Sequence, residues 1–318
     1  MAAINQEALP YPAAKKQART GLLLDIRKNK LLYVMLLPVL LYYAVFHYAP
    51  MYGAIIAFKD FSPRLGIWGS EWVGFAHFES FFSGAYFWRT IKNTILISLN
   101  ELVFGFPAPI ILALLLNEVR NSVFKRTVQT VTYMPYFISL VVICGIIKDF
   151  TASSGVINDI IAFFGGERLT LLLEPEWFRT IYVSSGIWQH IGWGTIIYLA
   201  ALTGIDQEQY EAAKMDGAGR WKQMLNVTLP GLMPTIIILL ILELGRMMNV
   251  GFEKIILLYN PSTFDTADVV SSYVYRVGLQ EFNYSFSSAV GLFNSAVNFT
   301  LLLSSNWISR KLNSTSLW

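Results

Sequence analysis

The sequence predicts an all-α membrane protein with six transmembrane helices and both termini on the cytoplasmic side. Three observations carry that reading. First, of 318 residues 54% are hydrophobic and 15% aromatic but only 14% charged, against about 25% charged in ordinary soluble domains. The mean hydropathy of +0.48 fits apolar spans joined by polar loops. Second, six stretches supply the roughly 20 mostly apolar residues that a helix needs to cross the hydrocarbon core. Third, Lys and Arg gather on alternate loops, which sets the orientation.

The six stretches lie at 31–58, 91–116, 128–147, 180–202, 233–258 and 286–308. The first is too long and starts too late for a cleavable signal peptide, and no small-residue cleavage site follows it. Pro38, Pro50, Pro107 and Pro109 fall within spans. Proline removes a backbone donor, but membrane helices tolerate it where neighbours or local readjustment satisfy the freed groups. Kinked spans of this kind suit a transporter better than an anchor. The chain therefore divides into a cytoplasmic tail (1–30, with Pro10 and Pro12), a first span with an extracytoplasmic aromatic loop (31–90), a core (91–310) and a short cytoplasmic tail (311–318).

The orientation rests on named charges. Lys15, Lys16, Arg19, Arg27, Lys28 and Lys30 precede the first span, and Arg120, Lys125 and Arg126 separate the second from the third. Lys214, Arg220 and Lys222 separate the fourth from the fifth, and Arg310 and Lys311 follow the sixth. The opposite loops carry fewer: Lys59, Arg64, Arg89 and Lys92, then Lys148, Arg168 and Arg179, then Arg276.

Residues 59–90 hold Trp68, Trp72, Phe75, Phe78, Phe81, Phe82, Tyr86, Phe87 and Trp88. Two readings stand: an interfacial helix, since aromatics gather at membrane surfaces, or a docking surface for an external partner. The loop 149–178, with Gly155, Gly165, Gly166 and Pro175, is expected to carry short helical stretches and no catalytic pattern.

Several function classes are excluded. A net charge of +3 with no basic stripe argues against nucleic acid. The single cysteine, Cys144, reads as a small buried hydrophobe, and no Cys/His cluster has metal-ligand spacing. His47, His77 and His190 are scattered. No Gly-Lys dipeptide occurs, so the phosphate cradle of an ATPase is missing. The chain is expected to be no enzyme and to need no cofactor, and any ATP hydrolysis must come from another polypeptide.

The loop 205–230 carries the functional reading. Asp206 followed by Gln209 has the spacing of a capping box, and Ala212, Ala213, Lys214 and Met215 propagate a helix. Gly217 and Gly219 are predicted to end it. A second short helix is predicted from Arg220 to the break at Pro230. Glu211, Ala212 and Ala213, then three residues, Gly217, nine residues, and Val227, Thr228, Leu229 and Pro230 resemble the EAA motif of binding-protein-dependent ABC importer permeases. The motif's Ile is Val227 here. The runs WVGFAHFESFF at 72–82 with Asn93 and Thr94, and FEKIILLYNP at 252–261 with Tyr273 and Tyr275, are similar to further segments of that family. YAPMYGAIIAFKDF at 48–61 resembles its carbohydrate branch, the LplB-like polysaccharide permeases and the permeases of alginate or pectin-oligosaccharide importers.

The resemblance implies a type I ABC importer permease architecture in which the last four or five spans form the transport core and the first packs around a partner subunit. It implies that the loop is a coupling helix for an ATPase, with Glu211, Ala212, Ala213, Asp216, Gly217, Leu229 and Pro230 as its residues. It further implies a second related permease, two ATP-binding subunits that hold ATP and magnesium, an extracytoplasmic solute-binding protein and an oligosaccharide substrate.

Ionisable and amide groups inside spans usually face a bundle interior or a water-filled path. Glu243, Arg246 and Asn249 share one face of the fifth span by their spacing of three. They read either as a structural ion pair or as the lining of a path for sugar hydroxyls, with the structural pair slightly favoured. Asn100 and Glu101, Gln189, and Asn294 and Asn298 pose the same choice, and Trp188 and Trp193 either stack on a sugar ring or face lipid. A passive channel or ion-coupled carrier is the competing class. It predicts inverted repeats and discontinuous helices, and no clear repeat is seen.

Overall fold

The computed structural model describes residues 22–313 and 316–317. The tail 1–21 lies outside the described residues. The chain separates into two units, 1–53 and 54–318.

In the first unit a helix runs Lys30–Tyr43, widens into a π turn at Ala44–Tyr48 and closes with Ala49–Met51. It is apolar along its length, so lipid or another apolar surface is its medium.

The second unit holds the remaining long helices. Among the described residues five helices are long and apolar enough to cross a membrane: Lys30–Phe58, Phe87–Glu118, Leu140–Phe163, Arg220–Leu244 and Tyr284–Lys311. The expected fourth span forms the 28-residue helix Pro175–Leu202, yet it is less apolar than the other five. The reason is its place in the packing. Its Phe178, Tyr182, Gln189, Gly192, Thr195 and Tyr198 are buried, so it faces other helices where small and polar groups replace lipid-facing Leu and Ile. A Cβ added at Gly192 would lie 2.2 Å from the Thr132 carbonyl oxygen, and one at Gly194 would lie 2.9 Å from Pro109 Cγ. These glycines let two neighbouring helices cross at contact distance.

Two expectations need correction. The third span does not run unbroken over 128–147. Helix Ser122–Tyr133 passes into a 3-10 turn at Met134–Phe137, and a new helix, Leu140–Thr151, starts after the extended Ile138 and Ser139. Pro135 cannot extend the ladder, and the Ser139 side chain caps the new helix by accepting from the Val142 N–H. The apolar stretch is therefore displaced towards the C-terminus, and Val156–Phe163 continues it beyond a break. The fifth span also breaks. Leu229–Leu244 ends at Gly245, and Phe252–Leu258 starts after an irregular segment. Its freed backbone groups are satisfied from three sides: Met248 N–H donates to Asn298 Oδ1 (2.9 Å), Ser98 donates to the Met247 carbonyl, and Ser271 donates to that of Val250 (2.8 Å). The fold is all-helical apart from one short ladder, in which Lys59–Asp60 pairs antiparallel with Glu71–Trp72.

Three of the π turns close directly before a proline. Phe106 N–H donates to the Glu101 carbonyl five residues back, directly before Pro107, and the same pairing of Leu229 to Met224 precedes Pro230. Ala49 to Ala44 precedes Pro50 in the same way. A proline ring clashes with the carbonyl four residues earlier in a regular helix. The wider turn moves that carbonyl aside, so each helix continues past its proline.

The outer aromatic loop serves the fold in part. Phe81 is 1% exposed in a cluster with Met248, Val270 and Val290, and the backbone N–H of Phe61 donates to Ser285 Oγ (2.9 Å). Trp72, Phe75 and Trp88 stay exposed. Cys144 is buried in the main apolar cluster with Ile97, Ile143 and Phe178.

Candidate functional site

The loop after Pro175–Leu202 folds as a short elbow. Asp206 caps helix Gln207–Met215 by accepting from the Glu208 N–H at 3.0 Å. The expected reciprocal bond from Gln209 is not among the described contacts. Gly217 ends the helix with φ +74°, a conformation that costs a residue with a Cβ. Ala218 N–H donates to the Ala213 carbonyl and Gly217 N–H to that of Lys214, the paired bonds of a Schellman cap. Gly219 does not share this task. It is extended and caps the next helix, Arg220–Gln223. Nor does Pro230 end that helix, which continues through the π turn Met224–Thr228 into Leu229–Leu244.

Two contacts tie the elbow to its flanking helices. Tyr210 Oη lies 3.0 Å from Thr228 Oγ1, and Tyr210 packs with Leu202, Ile205 and Leu232. The outer face of the elbow is bare. Glu211, Ala212, Asp216 and Gly217 are exposed, as is Pro230, while Ala213 and Leu229 are half-buried. Met215 and Trp221 are 88% and 71% exposed. Large apolar side chains held out beside charged ones suit a protein partner. Spacing in the sequence marked the motif, whereas Met215 and Trp221 stood out only once their exposure was visible.

A cavity of about 830 Å³ opens between the helices, lined by Glu101 and Pro109 from Phe87–Glu118, by Gln189 and Trp193 from Pro175–Leu202, and by Glu243 and Arg246 near the break in the fifth stretch. Glu243 and Arg246 form no ion pair among the described residues, and both are exposed to this space. The structural pairing favoured by their spacing is therefore not among the described ion pairs, and regular α-helix ends at Leu244, before Arg246. Asn249 lines a smaller neighbouring cavity with Glu243 and Arg246 and accepts from Asn294 Nδ2 at 2.7 Å. Asn298 is 7% exposed, and its side-chain oxygen accepts from Met248 N–H.

Trp193 stacks on Tyr136 with ring centres 4.5 Å apart and planes at 3°, so it presents a flat aromatic shelf at the cavity wall. Trp188 does not line this cavity. Lys254, which spacing did not mark, also lines the cavity and is 6% exposed. Its Nζ donates to the Tyr182 carbonyl at 2.8 Å.

A second polar centre was hidden in the sequence. Asp268, fully buried, accepts from Arg89 Nη2 (2.9 Å) and from Arg276 Nη1 and Nη2 (3.2 and 2.8 Å). Its backbone carbonyl accepts from Asn93 Nδ2 (3.0 Å), whose Oδ1 takes a bond from Arg179 (2.8 Å). Burial works against the charged form of Arg276, but the hydrogen bonds and charge of Asp268 outweigh it and raise its pKa. Among the described residues no group of three His, Cys, Asp or Glu side chains is placed to hold a metal.

Residues 105–314 match the family described as the binding-protein-dependent transport system inner membrane component. The chain belongs to that family, and is thus the multi-pass, non-catalytic permease of a binding-protein-dependent ABC importer. It is 48% identical to protein LplB of Bacillus subtilis, over 92% of each chain. It is 45% identical to the polygalacturonan/rhamnogalacturonan transport system permease YteP of the same organism, over 96% of this chain and 95% of the other. A chain in the crystal structure of a bacterial alginate ABC transporter, in complex with a periplasmic protein bound to an alginate pentasaccharide, superposes with a TM-score of 0.86. The two are 44% identical over 93% of this chain and 99% of that one.

Proposed function

We propose that this permease imports oligosaccharides released from polysaccharides and that the elbow 205–230 couples ATP hydrolysis elsewhere to movement of its helices. The observation that carries the coupling role is the elbow itself. It is exposed on its outer face, capped at both ends of Gln207–Met215, and bound through Tyr210 and Thr228 to the helices on either side. A partner that moves the elbow moves both helices, as alternating access requires.

On this reading the less apolar helix Pro175–Leu202 is the sixth span, and the core alone (91–310) carries the transport path. Both termini lie in the cytoplasm, in keeping with the basic loops. Glu211, Ala212, Ala213, Asp216, Gly217, Leu229 and Pro230 make up the ATPase-coupling surface. Gln189, Glu243, Arg246 and Asn249 line the path, with Asn294 at its margin. The assembly includes a second, related permease, two ATP-binding subunits and an extracytoplasmic solute-binding protein. The saccharide substrate rests on the names of the relatives and on the aromatic and amide groups that face the cavity.

Co-purification of the tagged chain from its native membranes, with mass spectrometry of its companions, tests the reading. A second permease, an ATP-binding protein and a solute-binding protein are expected. Recovery of the chain alone or as a homo-oligomer, in mild detergent and good yield, would favour a carrier or channel instead.

A further inference from the structure

We propose that Glu101, Lys254 and Gln189 form, around the bare backbone of Gly186, a saccharide subsite that reads ring hydroxyls rather than charge. The proposal rests on the oligosaccharide-importer reading above. All four residues line the large cavity.

The geometry is that of a divided charge pair. An ammonium has three N–H donors, and Lys254 gives one to the Tyr182 carbonyl while its Nζ lies 4.5 Å over the Tyr182 ring. It makes no ion pair among the described residues. A Cβ added at Gly186 would stand 3.3 Å from Lys254 Nζ and 3.9 Å from Glu101 Oε1. The two charges therefore flank one point, which the missing side chain of Gly186 leaves accessible. Gln189, three residues further along the same helix, is 5% exposed and its Oε1 has no hydrogen-bond partner among the described residues. Burying such an acceptor unpaired is costly, so a small turn of the side chain that brings it to a ligand donor recovers free energy.

The chemistry of the completing group follows. It must accept from an ammonium and donate to a carboxylate and an amide oxygen. A hydroxyl does both at once, and neighbouring hydroxyls on a sugar ring do so repeatedly. A carboxylate would gain from Lys254 but meet Glu101 as a like charge. A subsite that sets an acidic beside a basic side chain does not select for a charged group on the saccharide.

The test uses tetragalacturonate and its fully methyl-esterified counterpart, which share ring hydroxyls and differ in charge. Equilibrium binding of each to the purified permease–ATPase complex, without solute-binding protein, is compared with uptake by the complete importer in proteoliposomes. Gly186→Ala and Glu101→Gln are each expected to weaken binding of both probes by about tenfold, the loss typical of a hydrogen bond to a charged group. Size-exclusion recovery of the assembled complex checks folding, and Gly186→Ala, which adds one methyl, serves if Glu101→Gln fails to assemble. Unchanged binding of both probes would overturn the subsite, as would a loss confined to the charged probe. If the wild-type importer accumulates neither probe, galacturonate oligomers are not its cargo, and the subsite as proposed for them fails.

Discussion

Arg276 grips Asp268 through both ends of its guanidinium, at 3.2 and 2.8 Å, although the carboxylate has no exposure to solvent. Arg89 reaches the same carboxylate from the start of the second apolar helix, and Asn93 takes up the neighbouring carbonyl. One buried anion thus joins the helix at Phe87, the helix Pro175–Leu202 through Arg179 and the segment before the last helix.

Removing that anion leaves two guanidinium groups in poor solvent. Breaking a buried pair from one side costs about 3–5 kcal/mol, so Asp268→Asn should lower the thermal stability of the detergent-solubilised subunit severely. Arg89→Lys should cost less, because Arg89 is partly exposed and Arg276 remains. Melting curves followed by size-exclusion chromatography distinguish the two, and equal curves would argue against the network as a structural centre.

Gly217 tests the elbow. Its φ of +74° costs a β-branched residue about 1–2 kcal/mol, while Asn adopts this conformation more readily. Gly217→Val should abolish uptake while the chain stays in the membrane, and Gly217→Asn should retain a measurable fraction. Wild-type uptake by Gly217→Val at normal expression would remove the coupling role. Glu211→Ala is expected to act likewise, through loss of the exposed charge rather than of the turn.

The Tyr210–Thr228 bond links the two arms of the elbow. Tyr210→Phe and Thr228→Val should each reduce uptake per ATP hydrolysed, and the double variant should be no worse than either. A single neutral hydrogen bond contributes about 1 kcal/mol, so a several-fold change is expected. Strictly additive losses in the double-mutant cycle would show that the two hydroxyls act independently.

Glycine substitutions separate contact from propensity. Gly192→Ala drives a methyl against the Thr132 carbonyl, and overpacking of that kind costs about 1–3 kcal/mol or more. Gly145, also helical, has nothing within 4 Å of an added Cβ. Gly145→Ala should therefore stabilise the isolated subunit, by about 0.5–1 kcal/mol. Thermal denaturation of the two variants in parallel checks the sign of each.

The sequence by itself determined those features that one stretch of chain can encode. Apolar length located four of the six stretches to within several residues but misplaced the third and fifth, whose apolar helices are Leu140–Phe163 and Arg220–Leu244, and the spacing from Glu211 to Pro230 marked the elbow and the family. The family match at 105–314 supports that assignment independently. What the tertiary structure decided were relations between distant stretches. Pro135 and Gly245 carry local signals for a break, but whether a membrane helix bends or breaks depends on groups that satisfy the opened backbone. Here Ser98, Ser271 and Asn298, from three separate segments, supply them. Spacing alone paired Glu243 with Arg246, because it assumes that the helix continues. It left Asp268, Arg89 and Arg276 as ordinary loop charges and passed over Lys254. Which charges meet, and which face a cavity, follows from how helices pack, and that depends on contacts between residues far apart in the chain rather than on local periodicity.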